Sequence, residues 1–115
     1  MIQVWINKDE SSNVSALAGK LEKLLTDDSM LHASLIALDE SRMPDMEKVV
    51  KDQEIQRLDV AVLPAAEKDE VLKAFKLAPA AKNTIHIYKN KAVVAKFVDL
   101  SEADFAKVIE AVKAL

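Results

Sequence analysis

Cysteine is missing from this chain altogether, glycine occurs once, proline three times, and aromatic residues make up only 4% of its 115 residues. Without cysteine there is no disulfide framework, no thiolate nucleophile and no thiolate metal ligand, and the usual indicator of redox compartment is lost as well. With Gly19 the only glycine, the chain cannot build a glycine-rich phosphate-cradling loop, and no serine lies in the G-x-S-x-G turn of hydrolases. No apolar run approaches the roughly 20 residues that span a bilayer, so membrane insertion is not expected. Charge of one sign is absent too. The 16 basic and 19 acidic residues are spread along the whole chain and leave a net charge of −3, which offers no footprint for a nucleic acid backbone. Lys82, Lys89, Lys91 and Lys96 do fall close together, but on a stretch where lysines serve to protect a sheet edge.

A content of 50% hydrophobic and 30% charged residues describes one soluble globular domain over residues 1–115, large enough to fold without metal or disulfide staples. The chain opens directly on a strand rather than a basic and then apolar leader. The expectation is a cytoplasmic protein if the chain is complete and an exported one if a leader was trimmed.

The most legible stretch is Asn83 to Leu115, NTIHIYKNKAVVAKFVDLSEADFAKVIEAVKAL. Thr84 to Lys89 alternates, with Ile85 and Ile87 on one face and Thr84, His86 and Tyr88 on the other, as in a half-buried strand. Asn90 suits the positive φ of a tight turn, and Ala92 to Val98 returns as an antiparallel partner. Ser101 followed by Asp104 resembles a capping box. Phe105, Val108, Ile109, Val112 and Leu115 then recur at helical steps and form the inward stripe of a closing helix.

Earlier in the chain, Ile2 to Ile6 reads as a buried parallel strand with Trp5, the only tryptophan, in its core. The polar loop Asn7 to Asn13 offers Ser11, Ser12 or Asn13 as N-cap of a helix whose stripe is Val14, Leu17, Leu21, Leu24 and Leu25. Gly19 lies inside that helix, where it costs about 1 kcal/mol relative to Ala, and close packing on the sheet is the expected compensation. Leu31 to Leu38 is a second strand reached by a right-handed crossover. Pro44 opens a helix burying Met46, Val49, Val50 and Ile55. Leu58 to Leu63 is a third strand, stopped by Pro64, and Glu67 to Leu77 a short helix burying Val71, Leu72 and Phe75. The order βαβαβαββα predicts an α/β fold, a five-stranded mixed sheet with helices on both faces.

That order, with LKAFKLAP, NTIHIYKNKAVVAKFV and a terminal helix, is similar to the second half of thioredoxin-fold proteins. The inserted DMEKVVKDQEIQRLDVAVLPAAEKDEVLKAFKL looks like the arrangement in peroxiredoxins and in the thiol-disulfide oxidoreductases of cytochrome maturation. The resemblance implies the strand order third, second, first, fourth, fifth. It also implies a site where the first strand meets the first helix, with a Trp ahead of two cysteines. Here Asp9 and Ser12 stand at those two positions, with Glu10 and Ser11 between them. A carboxylate and a hydroxyl cannot replace a thiolate and a sulfur leaving group, so thiol-disulfide exchange and peroxidase chemistry are not expected. The family's cis-proline before the fourth strand is replaced by Asn83, with Pro79 the nearest proline.

No other constellation compensates. His32 and His86 fall on different strands with the first strand between them, which argues against a shared metal site. Ser12, His86 and Asp9 form a triad only on paper, and the acidic pairs Asp9-Glu10, Asp27-Asp28 and Asp39-Glu40 lie in loops near helix ends as solvated or capping charges. We therefore expect no catalytic, cofactor-binding or metal-ligating residues. The expected function is a redox-inactive thioredoxin-like domain that binds an unknown protein partner, or is structural, with Asp9, Glu10, Ser11, Ser12 and Asn83 as the interaction loop. The alternative is a non-redox protein or enzyme that binds a small thiol such as glutathione through Ser11 or Ser12 at a helix start. A monomer or weak dimer is expected, with no pairing through the edge strand Ala92 to Val98.

Overall fold

The apolar run at the start of the chain is too short to bury a helical face, and it forms β1 (Ile2–Ile6), the central strand of a five-stranded sheet. The computed structural model describes residues 1–7, 9–28, 30–77 and 81–114. Around β1 the order is β3-β2-β1-β4-β5, with β2 (Ala33–Ala37), β3 (Asp59–Val62), β4 (Asn83–Lys89) and β5 (Ala92–Val98). β1 runs parallel to β2, and β2 parallel to β3, whereas β4 is antiparallel to both β1 and β5. This is the order that the resemblance to thioredoxin-fold proteins implies. Val4 stands opposite Leu35 and Ile85, and Trp5 opposite Ile36 and Thr84.

Period-two alternation sorts these strands into two faces. Ile2, Val4, Ile6, Leu35, Ile85 and Ile87 are fully buried on one, beneath α1 (Ser11–Asp27), α2 (Met43–Asp52) and α4 (Phe105–Lys113). On the other, Trp5 joins Leu38, Leu72 and Leu77 under the short α3 (Lys68–Ala74). β4 is buried on both faces, down to 3% exposure at Thr84 and 4% at His86. A half-buried strand was the wrong expectation there, because alternation of residue type does not reveal a second covering layer.

Several local expectations are corrected by tertiary contacts. α1 begins at Ser11, with Glu10 at its N-cap and no side chain capping it, so none of Ser11, Ser12 and Asn13 is the cap. Asn13 is instead engaged across the loops described below. Ser101 does not cap the last helix either; its hydroxyl donates to the Asp104 carboxylate at 3.2 Å, and a short 3-10 turn precedes α4. Val50 and Phe75 are 36% and 39% exposed rather than inward, although the Phe75 ring lies 4.6 Å from that of Trp5. Gly19 does not meet the sheet. A Cβ there would meet the Gln53 carboxamide, which reaches over from the end of α2 and donates to the Ser15 hydroxyl at 3.1 Å.

With glycine so scarce, ordinary residues take the left-handed positions. Asn90, as expected, and Lys91 have φ of 53° and 67° in the two-residue turn between β4 and β5. Glu54 and Lys76 take φ of 52° and 54° just past the ends of α2 and α3, where Ile55 N–H bonds Val50 O and Leu77 N–H bonds Leu72 O. The expectations that rest on Pro79 and on Leu115 lie outside the described residues.

Candidate functional site

β1 delivers the chain to a polar loop at one end of the sheet, next to the start of β4 and the turn from β5 to α4. Asp9 and Asn83 meet there. Asp9 is 6% exposed and Asn83 1%, and the Asn83 amide donates to Asp9 Oδ2 at 2.7 Å. Asp9 also accepts from Asn13 Nδ2 at 2.8 Å and from its neighbour's N–H, Glu10, at 2.9 Å. Asn83 holds Leu100 on both sides, donating to its carbonyl at 2.9 Å and accepting from its N–H at 3.0 Å. Asn13 bridges the same turn, donating to Leu100 O at 3.1 Å and accepting from Glu102 N–H at 3.0 Å.

Nearly every polar atom of this cluster has a partner, which is what makes its burial affordable in free energy. Two carboxamides and one carboxylate tie three chain segments together. Asp99, at φ 55°, adds a fourth tie by accepting the Lys82 N–H at 2.6 Å. Beside the cluster opens a cleft of about 200 Å³ bordered by Glu10, Lys82, Asp99 and Ser101 over a floor of Asp9, Asn13 and Asn83.

The five residues singled out in the sequence therefore divide. Asp9 and Asn83 come together but are buried, while Glu10 is exposed on the rim of their cleft. Ser11 and Ser12 turn away into a separate groove of about 350 Å³ between α1 and α2, with Asp45, Lys48 and Asp52. The Ser11 hydroxyl donates to Asp45 Oδ2 at 3.1 Å. Asn13 and Lys82 lie within the loop and the segment before β4 that the sequence places together, whereas Asp99 and Leu100, in the turn into α4, were missed. The four-residue step from Asp9 to Asn13 at a helix start was a usable signal for one contact, but the link to Leu100 needs the closed sheet.

The histidines do not converge. His32 is exposed ahead of β2 and His86 is buried in β4, with β1 between those strands. Burial lowers the pKa of His86, and the Lys96 charge on β5 lowers it further, so its imidazole is held in the neutral form. Among the described residues, no group of three or more His, Asp and Glu is arranged to hold a metal ion, and no helix is long and apolar enough to cross a membrane.

Comparison with solved structures gives this architecture a name. The chain is similar to a SCO1/SenC family lipoprotein from Bacillus anthracis, with a TM-score of 0.64 over 99% of this chain and 80% of that one, at 11% sequence identity. It is also similar to a thioredoxin-like protein from Parabacteroides distasonis, with a TM-score of 0.57 over 95% of this chain and 79% of that one, at 12% identity. The fold is thioredoxin-like, as the sequence resemblance implies, in a chain that has no cysteine. No family model matches the sequence, and no curated protein matches it.

Proposed function

We propose that this chain is a redox-inactive thioredoxin-like domain that acts by binding another protein at the end of the sheet where β1 meets α1. The observation that carries the reading is Asp9. It stands where the fold's resemblance places the first thiol, and its carboxylate is committed to Glu10, Asn13 and Asn83 rather than presented to a substrate. Neither it nor Ser12 supplies the sulfur chemistry of disulfide exchange. A loop fixed in this way offers a partner a preorganised edge, with exposed Glu10, Lys82, Asp99 and Ser101 giving both charge signs in a small area.

The test is affinity capture from the native source, quantified for the unaltered chain, for Glu10→Lys with Ser101→Arg, and for Lys51→Glu in the last turn of α2 as control. Loss of one specific partner in the double variant alone supports the reading. Retention in all three, or no specific partner in any, overturns it.

The small-thiol alternative fares less well on geometry. Ser11 is already bonded to Asp45, and the groove into which Ser12 opens sets two carboxylates, Asp45 and Asp52, against the single Lys48, a poor setting for a thiolate. Calorimetric titration with millimolar glutathione is expected to show no heat. Heat that vanishes in Ser12→Ala would install the alternative in place of the first reading.

A further inference from the structure

The two edges of the sheet are built differently. β5 carries Lys96, follows Lys91, and its pairing with β4 is broken by an irregularity at Ile87 and Tyr88, all of which discourage a further strand. β3, at the opposite edge, reads Asp59-Val60-Ala61-Val62, with no lysine and no proline, and it pairs with β2 in unbroken register. Leu63 donates its N–H to Ala37 O at 2.9 Å, toward β2. By the alternation of a parallel strand, the backbone groups of Val62 and Val60 then point to the open side.

Along that open side runs an apolar groove of about 340 Å³, roofed by α2 and lined by Met43, Met46, Val50, Val60 and Val62. Met43 is 49% exposed and Val50 36%, so their apolar atoms face the groove and water rather than the core. The charged residue lining the groove is Glu47.

We propose that β3 and this groove bind an extended peptide segment of another protein, which adds as a sixth strand. Its alternate apolar side chains enter between α2 and β3, and a lysine or arginine beside them meets Glu47. Backbone bonds to Val60 and Val62 would supply affinity, and the methionines, flexible and polarizable, would accept varied apolar side chains. Charge argues for a foreign peptide over a second copy of this chain. Pairing β3 with itself would bring two Glu47 carboxylates into one apolar interface, and a four-residue strand covers far less than the roughly 1,000 Å² of a stable dimer. This surface is distant in the sheet from the Asp9 cleft and does not rest on the function proposed for it.

The probe is a seven-residue peptide alternating valine and threonine with a lysine at each end, followed by amide NMR and by fluorescence anisotropy. Amide shifts and exchange protection at Val60 and Val62 are expected. A peptide N-methylated on its strand-facing amides should lose binding. Met43→Glu, at an exposed position that spares the core, should weaken binding about tenfold. Glu47→Lys should weaken the lysine-ended peptide about threefold and favour a glutamate-ended one. Three results would overturn the proposal: no binding at millimolar peptide, shifts confined to β5 or the Asp9 cleft, or concentration-dependent β3 shifts without peptide, which would reveal a homodimer.

Discussion

At Trp5 a bulky side chain is spent on the thinner of the two cores, under the seven-residue α3 rather than beneath α1. It is 4% exposed and lies against Phe75, yet its indole N–H is buried with no partner among the described residues. Trp5→Ala should therefore cost about 3 to 5 kcal/mol in denaturant unfolding. Trp5→Phe should cost about 1 kcal/mol or less, since it also removes an unsatisfied donor. A loss under about 1 kcal/mol in the alanine protein would mean that the ring contributes no core packing.

Glu22 shows a charge used in the opposite way. Its carboxylate accepts the N–H groups of Gln56, Arg57 and Leu58 at 3.2, 2.8 and 3.0 Å, fixing the chain as it enters β3. Burial acts to raise its pKa, but these three backbone bonds, with the Arg57 charge, outweigh it and the net shift is downward. A carboxyl with a lowered folded pKa contributes stability that is complete above its unfolded value near pH 4.3 and is lost as pH falls through the folded value. Glu22→Gln should cost about 1 to 2 kcal/mol at pH 7 and show a shallower loss between about pH 5 and pH 3. Equal slopes for the two proteins in that window would show that the carboxylate does not carry this linkage.

Among the elements, the strands and helices with strong periodicity were legible. β1, the β4–β5 turn and α1 follow from apolar runs, from Asn90 and from a five-residue stripe, because those signals are local. What was illegible depends on contacts distant in sequence. The second burial of β4, the exposure of Val50 and Phe75 and the role of Gly19 all turn on which helix covers which face. Gly19 makes the point testable. If its job is to admit the Gln53 carboxamide, Gly19→Ala alone gains about 1 kcal/mol of helix propensity and loses a similar amount by displacing Gln53 from Ser15. Added to Gln53→Ala, however, the same substitution should stabilise by about 1 kcal/mol in thermal or denaturant unfolding. A destabilised double variant would mean that Gly19 answers to some other contact.

Over the whole molecule, the α/β class could be read from the element sequence and the strand order from the resemblance to thioredoxin-fold proteins, while the site could be read only in part. Asp9 and Asn83 were singled out as part of an interaction loop, and they form the buried centre of a latch joining the β1–α1 loop, β4 and the turn into α4. Polar residues in a loop resemble a ligand surface in the sequence. Only closure of the sheet shows that Asn13 and Leu100 complete them. The reading of this chain as a scaffold for binding depends on that latch being structural.

A double-mutant cycle of Asp9→Ala and Asn83→Ala in equilibrium denaturant unfolding tests it most directly. Each single variant strands buried partners and should lose about 2 to 3 kcal/mol, and because the shared bond is counted twice, the pair should lose at least about 1 kcal/mol less than the sum. Strict additivity with small single losses would contradict the account and return Asp9 to the list of groups available to a ligand.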